Sequence, residues 1–158
     1  GLIVLYAKSS YICLMNKIKK EILEIFDEVE FIPGKDDELL GYAEMFGNDC
    51  IPLYRNINFS PCSSPEEAIN KIRIVNPKAR TADGFDDCII GLLKLETDKI
   101  IILYDKHKLL DQLVQEYSED TSGLFSDDED LMIVALEHYT YNIIGSYMEG
   151  IPAFATIY

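Results

Sequence analysis

The chain has 158 residues, 48% of them hydrophobic, and a formal net charge of −14, so one domain or two small ones can bury a core. No apolar run approaches the about 20 residues that a membrane-spanning helix needs, and residues 2–5 are too short for a signal-peptide core. These features exclude a membrane span and predict an intracellular protein.

The charge is unevenly distributed between the two halves of the chain. Residues 1–79 carry 9 basic and 12 acidic side chains, whereas residues 80–158 carry 5 and 16. An acidic field disfavours contact with nucleic-acid phosphates and favours a basic protein partner. We therefore expect a protein partner and no direct nucleic-acid binding. Solvated acidic faces that serve only solubility are the alternative interpretation.

The first third of the chain predicts alternating strands and helices. Residues 2–6 have the pattern of a buried strand, and apolar side chains at three- and four-residue steps predict an amphipathic helix over residues 13–26. A strand is predicted at residues 29–32. A second helix is predicted to begin with Asp36 as its N-cap and to end near Gly47. Residues 50–54 then form a strand with an early proline.

This order resembles the thioredoxin and glutaredoxin fold. The segment Ser10-Tyr11-Ile12-Cys13 occupies the place of that family's C-x-x-C motif, and Ile51-Pro52 occupies the place of its cis-proline. The resemblance implies that Ser10, Cys13 and Pro52 would be the catalytic positions of a thiol-redox enzyme. Because Ser10 replaces the attacking thiol, however, disulfide exchange is not expected. Cys13 is then a small apolar residue on a helix face.

The middle of the chain is predicted to be a linker. Prolines and serines between residues 59 and 65 disfavour regular structure, and Ser64-Pro65-Glu66-Glu67 is a capping box that begins a short helix. We therefore divide the chain into a thioredoxin-like part at residues 1–60, a linker and helix at 61–80, and an acidic module at 81–158. We recognise no internal repeat.

The acidic module is predicted to contain a hairpin, two helices and a last strand. Asp83-Gly84 is a strong turn signal, and the apolar runs 88–95 and 100–104 are separated by the polar turn 96–99. Asp105 is the predicted N-cap of the first helix, and Gly145 is the predicted end of the second. Residues 152–157 form the last strand. The chain as a whole is therefore predicted to be an α+β protein.

The second half also resembles a family of small bacteriophage proteins of unknown function. The resemblance is carried by residues 82–91 (ADGFDDCIIG), by Tyr104-Asp105, by residues 141–147 (YNIIGSY) and by Pro152-Ala153-Phe154. The family usually has Gly-Glu where this chain has Glu149-Gly150. The resemblance implies a viral origin, with the protein in the host cytoplasm or associated with the virion, but it implies no activity.

Several side chains could carry chemistry, and each also has a structural interpretation. Four carboxyl groups could gather around Mg²⁺ or share a proton, namely those of Asp83, Asp86, Asp87 and Asp105. The same sequence pattern is also that of a turn residue, two solvated acids and a helix N-cap. We therefore predict no metal and no cofactor.

The cysteines and histidines have spacings that favour structural roles. Cys13, Cys50, Cys62 and Cys88 have no zinc-site spacing, and His107 and His138 are isolated.

The preferred hypothesis is a small acidic viral accessory protein that binds another protein, and the alternative is a thiol-redox enzyme. The predicted binding residues share a place in the acidic module; they are Asp83, Phe85, Asp86, Asp87 and Asn142. Asn142 could line a pocket near a helix end together with Tyr139 or Tyr141. Phe85 is predicted to be buried against the helices, whereas Asp86 and Asp87 are predicted to be exposed.

Overall fold

The computed structural model of the protein describes residues 17–120, 128–145 and 150–158. Within these residues, helices pack around a mixed sheet of six strands, which confirms the predicted α+β class. Strands from the predicted first part and from the predicted acidic module lie in this one sheet. The predicted residues Ser10 and Cys13 lie outside the described residues.

The first hairpin corrects part of the sequence prediction. Helix α1, described over residues 17–25, is followed by a loop where a strand was predicted at 29–32. The predicted second helix is a 3₁₀ turn, Asp36–Glu38, followed by strand β1 (Leu39–Met45). The side chain of Asp36 caps no helix and instead pairs with Lys19 at 2.9 Å.

Strand β2 (Asn48–Tyr54) completes this hairpin, antiparallel to β1. Pro52 lies within β2 opposite Tyr42, and the peptide bonds of the described residues, Ile51–Pro52 among them, are all trans. The described residues therefore lack both the second helix and the cis-proline that the thioredoxin-like arrangement implied. Strand β1 buries residues of both of its faces, so its sequence lacks the alternation of apolar and polar residues that distinguishes a strand from a helix.

The second hairpin confirms the prediction. A 3₁₀ turn, Asp86–Cys88, leads into β4 (Ile89–Lys94), and β5 (Ile100–Asp105) returns antiparallel to it. Between the two hairpins lie β3 (Phe59–Pro61) and helix α2 (Pro65–Val75). The predicted cap is present, because the Ser64 hydroxyl accepts a hydrogen bond from the Glu67 backbone N–H at 3.2 Å.

The structure reveals an internal repeat that was not recognised in the sequence. Residues 17–54 and 67–104 follow the same path of helix, loop, 3₁₀ turn and hairpin, displaced by 50 positions. Each unit has a glycine at positive φ before its 3₁₀ turn, +75° at Gly34 and +88° at Gly84. The strand pairing also repeats, since Leu39 faces Tyr54 and Ile89 faces Tyr104. Only 8 of the 38 aligned residues are identical, which is why the repeat is hidden.

The repeat governs how the sheet closes. The strand order is β2-β1-β6-β5-β4-β3, with β6 (Ala153–Ile157) antiparallel to β1 and parallel to β5. Strand β3 has the equivalent place in the other unit, antiparallel to β4 and joined to the end of β2 by a parallel bridge between Arg55 and Phe59. The two outermost strands therefore meet, and the sheet curls into a barrel-like form.

Side chains of alternate residues divide the core into an interior and an exterior. One cluster, which we call the inner cluster, receives buried residues from all six strands: Ala43, Leu53, Phe59, Leu93, Ile101, Leu103, Ala153 and Ala155. The neighbouring strand residues, such as Tyr54 and Tyr104, point outward to the helices. Small residues in β6 suit the narrow interior, and their burial excludes water from it.

The two units differ in one connection. In the first, only residues 55–58 join β2 to β3, whereas in the second the chain between β5 and β6 contains helices α3 (Lys106–Asp120) and α4 (Asp128–His138). Helix α4 continues as a π-helical segment, Tyr139–Ile144. The predicted cap of α3 is present, because Asp105 Oδ1 accepts hydrogen bonds from the backbone N–H groups of His107 and Lys108.

Candidate functional site

A cleft lies where the inserted helices meet the loop at residues 79–85, which we call the cleft loop. Its larger part, the large cavity, has a volume of about 600 Å³ and lies between this loop, the π-helical segment and residues 151–154. Apolar side chains form most of its wall, and they include Ala82, Phe85, Ile143, Ile151, Pro152 and Phe154. Its polar wall consists of Arg80, Thr81, Asp83, His138 and Asn142. Apolar walls with a few convergent polar groups are typical of ligand sites.

A second cavity of about 300 Å³, the small cavity, adjoins the large one. Asp83, Phe85 and His138 line both, so the two cavities share a wall. Helix α3 supplies the rest of the small cavity through Leu113, Glu116 and Tyr117. This cavity therefore brings two exposed carboxyl groups, Asp83 and Glu116, beside two aromatic rings.

The cleft loop takes its shape from the Asp83-Gly84 turn. Gly84 has a φ of +88°, which glycine adopts without the strain that a side chain would cause. The backbone N–H of Phe85 donates to the Ala82 carbonyl at 3.2 Å, and the next turn begins with a bond from Cys88 N–H to the Phe85 carbonyl at 2.9 Å. Phe85 is 8% exposed and packs in the helix-facing core, as predicted.

Gln112 fixes helix α3 to this loop. Its Nε2 donates to the Gly84 carbonyl at 2.7 Å and to Glu116 Oε1 at 3.0 Å. The same side chain accepts a weak hydrogen bond from the Cys88 thiol, with 3.5 Å between Sγ and Oε1. One amide therefore orients the Glu116 carboxylate and connects helix α3 to the cleft loop beside the small cavity.

His138 lies at the centre of the cleft. Its Nδ1 is 3.0 Å from the Tyr117 hydroxyl and 3.4 Å from Asn142 Nδ2, and the Tyr117 and His138 rings meet edge to face at 5.9 Å. When Nδ1 accepts from these two donors, the ring proton resides on Nε2. The imidazole thus links helix α3 to the π-helical segment within the wall that the two cavities share.

Glu44 and Lys106 hold the π-helical segment in place through Tyr139. The Tyr139 hydroxyl donates to Glu44 Oε1 at 2.5 Å, and Lys106 Nζ pairs with the same oxygen at 2.6 Å. The Lys106 ammonium also lies 4.9 Å from the centre of the Tyr139 ring. Burial, followed by the Glu44 carboxylate, raises the pKa of Tyr139. A strand of the first unit therefore positions the segment that carries Asn142 and Ile143, and π-helical turns frequently occur at functional sites.

The structure brings together three of the five predicted binding residues. Asp83, Phe85 and Asn142 line the cleft. Asp86 and Asp87 are exposed on the following 3₁₀ turn, as predicted, and do not line either cavity.

The sequence analysis missed other cleft residues, namely Arg80, Glu116, Tyr117 and His138. The spacing of Glu116, Tyr117 and His138 gives no signal, because these residues reach the cleft only after the inserted helices fold onto the loop. From the sequence, His138 has only the appearance of an isolated histidine.

Among the described residues, the other side chains that could carry chemistry are thiols and potential metal ligands. Cys62 and Cys88 are free thiols, and burial raises the pKa of both, which disfavours the reactive thiolate. Within the described residues, the histidine, cysteine and carboxyl side chains form no cluster that could hold a metal ion. None of the helices in these ranges has the length and apolarity required to cross a bilayer.

Comparisons of the sequence and the structure with known proteins identify no relative. No protein-family model, no curated protein and no solved structure matches the chain. The cleft is therefore the feature from which a function can be inferred.

Proposed function

We propose that the protein is a small acidic interaction protein, of the phage-accessory type that its second half resembles, and that it binds a basic segment of a partner protein in the cleft. The observation that carries this proposal is that the carboxylates of Asp83 and Glu116 line the small cavity together with the rings of Phe85 and Tyr117. A carboxylate pair beside aromatic walls complements a lysine or arginine side chain.

The two parts of such a side chain have different requirements. The aliphatic stem of lysine or arginine packs on apolar surface, while the charged group needs solvent or an anion. In the small cavity, Phe85 and Leu113 offer the apolar contact, and Tyr117 offers a ring face that also attracts a cation. Asp83 and Glu116 are exposed, so an incoming cation can reach both carboxylates and donate hydrogen bonds to them.

The surrounding charge favours the same class of partner. Asp86 and Asp87 are exposed beside the cleft loop, and residues 80–158 carry 16 acidic against 5 basic side chains. Such a field accelerates encounter with a basic partner, and salt weakens the effect. Asp86 and Asp87 therefore steer the partner toward the cleft, and the cavity residues hold it there.

The proposal is tested by fluorescence anisotropy with labelled peptides. We expect an arginine-containing peptide to bind more tightly than the same peptide with citrulline, its uncharged analogue, and we expect the preference to fall as salt is raised. Asp83→Asn combined with Glu116→Gln should weaken binding of the arginine peptide by about tenfold, since it removes both carboxylates of the small cavity.

The matched control is Asp98→Asn combined with Glu96→Gln. This pair makes the same change of charge in the exposed turn between β4 and β5, where Asp98 has a φ of +67° that asparagine also tolerates. Binding by the control variant should remain within about twofold of the wild-type value. An equal loss in both variants would mean that only the overall charge matters, and the cleft would have no role.

A further inference from the structure

We infer that the cleft recognises two neighbouring side chains of the partner, a basic one in the small cavity and a large apolar one in the large cavity. This inference rests on the proposed function and specifies the sequence that the partner presents. The partner segment is extended, and its two recognised residues are separated by one residue.

The large cavity supplies the first part of the evidence. Its volume of about 600 Å³ is twice the 300 Å³ of the small cavity, and more of its lining residues are apolar than polar. Phe154 in its wall is 2% exposed and stacks on Tyr104 with 5.6 Å between ring centres, so the core supports this part of the wall. Ile143 and Ile151 are half-buried and face the cavity. An aromatic or long aliphatic side chain would cover this surface and gain from its removal from water.

The shared wall supplies the second part. Phe85 and His138 line both cavities, so the two occupants contact the same two side chains from different cavities. In an extended peptide, side chains two residues apart point to the same face and lie about 7 Å apart. Adjacent residues point to opposite faces and could not enter both cavities together. The spacing of one intervening residue therefore fits the cleft.

Charge sets which side chain enters which cavity. The polar wall of the small cavity includes two carboxylates, Asp83 and Glu116. Asp83 also lines the large cavity, but there the Arg80 guanidinium shares the wall, so only the small cavity has an excess of carboxylates. The basic side chain therefore belongs in the small cavity and the apolar one in the large cavity.

A set of four peptides of equal length tests this inference by isothermal titration calorimetry on the full chain. One contains Arg-Gly-Phe in a glycine and serine background. The second replaces Phe by Gly, the third places Arg and Phe six residues apart, and the fourth replaces Arg by citrulline. We expect the Arg-Gly-Phe peptide to bind at least about tenfold more tightly than each of the other three, because only it fills both cavities at once.

A protein variant identifies the cavity that binds the apolar side chain. Ile143→Ala removes apolar surface from the large cavity and should weaken binding of the Arg-Gly-Phe peptide by about fivefold, while the affinity for the Arg-Gly-Gly peptide stays unchanged. Ile133→Ala makes the same change on the exposed face of α4, where Ile133 is 50% exposed, and should alter neither affinity. Thermal unfolding establishes whether both variants fold. If Ile143→Ala does not fold, Ile143→Val takes its place in the binding measurement.

The outcomes separate this inference from the proposed function. If the three arginine peptides bind equally and Ile143→Ala has no effect, the paired motif is wrong, although the cleft still binds basic segments. If the arginine and citrulline peptides bind equally, the proposed function fails and the inference fails with it. Tighter binding of Arg-Gly-Phe that Ile143→Ala leaves unchanged would place the apolar side chain outside the large cavity and overturn the assignment.

Discussion

The hydroxyl oxygen of Tyr104 accepts a hydrogen bond of 2.7 Å from the backbone N–H of Ala82. The first unit contains the same bond, from the backbone N–H of Ile32 to the Tyr54 hydroxyl at 2.9 Å. In both units a tyrosine at the end of the hairpin holds the loop that precedes the 3₁₀ turn. Only in the second unit does this loop form a wall of the cleft, so the same contact supports the fold in one unit and the site in the other.

Removal of the Tyr104 hydroxyl should therefore affect both stability and binding. In Tyr104→Phe the part-buried Ala82 N–H loses its acceptor, which should lower the free energy of unfolding by about 1–3 kcal/mol in urea denaturation. The loosened cleft loop should also weaken binding of an arginine peptide. The matched variant Tyr54→Phe should be destabilised by a similar amount and bind as the wild type does. Equal binding losses in both variants would show that the loop contact acts only through global stability.

The same tyrosine predicts a loss of stability at alkaline pH. Burial, the largest cause, raises the pKa of Tyr104 to about 12 from an ordinary value near 10. Between these values the unfolded chain loses the phenolic proton and the folded chain keeps it. The contribution of Tyr104 to the free energy of unfolding is therefore fully present below pH 10. It is lost as the pH rises toward 12, by up to about 1.4 kcal/mol per pH unit for one proton.

Urea denaturation at pH 8, 10 and 11 measures this decline. Tyr104→Phe should reduce its slope, since it removes one of the responsible groups. The slope should not vanish, because burial also raises the pKa of Tyr139. A slope identical to that of the wild type would mean that Tyr104 titrates equally in the folded and unfolded chains.

The two hairpins show how far the sequence could predict the fold. Both have the same backbone path, yet Ile89 and Ile90 are β-branched and indicate a strand, whereas Leu39 and Leu40 also suit a helix. Turn and cap chemistry predicted the second hairpin and the start of α3 at Asp105 because these signals are local. Strand propensity alone could not resolve the first hairpin, since tertiary burial of both faces determines its conformation.

The candidate site was less predictable than the fold. Asp83 and Phe85 were identified from a turn and its neighbouring aromatic residue, which are local features. Glu116 and His138 belong to two different inserted helices, and the contacts that bring them to the cleft span more than 20 residues. No short-range pattern encodes such contacts, so the site becomes visible only when the helices are packed against the loop.

Substitutions of Phe85 and Asp86 test which of the predicted binding residues also support the fold. Phe85 is 8% exposed in the helix-facing core, so Phe85→Ala should cost about 3 kcal/mol of unfolding free energy. Asp86 is exposed, so Asp86→Asn should change stability by less than about 0.5 kcal/mol. It should instead slow association with a basic peptide in a salt-dependent manner. Unfolding caused by Asp86→Asn but not by Phe85→Ala would reverse these roles.

The thiol-redox alternative is addressed by a disulfide reduction assay. Ser10 stands where the resemblance would require the attacking thiol, and burial raises the pKa of Cys62 and Cys88. We therefore expect no reduction of insulin disulfides above the rate of dithiothreitol alone. Turnover comparable to that of a dithiol oxidoreductase would establish the enzyme and displace the interaction hypothesis. Titration of the native protein with a thiol reagent would then identify the reactive cysteine.

Gly41 and Gly91 test whether the two units are equivalent in energy as well as in shape. A Cβ atom on Gly41 would overlap the carbonyl oxygen of Thr156 in β6, and one on Gly91 would overlap that of Ser60 in β3. Both glycines also lie at register shifts of their hairpins. Gly41→Ala and Gly91→Ala should therefore each lower the free energy of unfolding by about 1–3 kcal/mol, because a neighbouring strand must move away.

Gly47→Asn is the control for this pair. A Cβ atom on Gly47 would meet no atom within 4 Å, and asparagine tolerates the positive φ of +83° at this position. Its cost should stay below about 1 kcal/mol in the same urea denaturation. Gly91→Ala should cost more than Gly41→Ala, because Gly91 also has a φ of +159°, a conformation that disfavours a side chain. If Gly41→Ala leaves the free energy of unfolding unchanged, then β6 can move away from β1, and the pairing that joins the last strand to the first hairpin is a weak closure of the sheet.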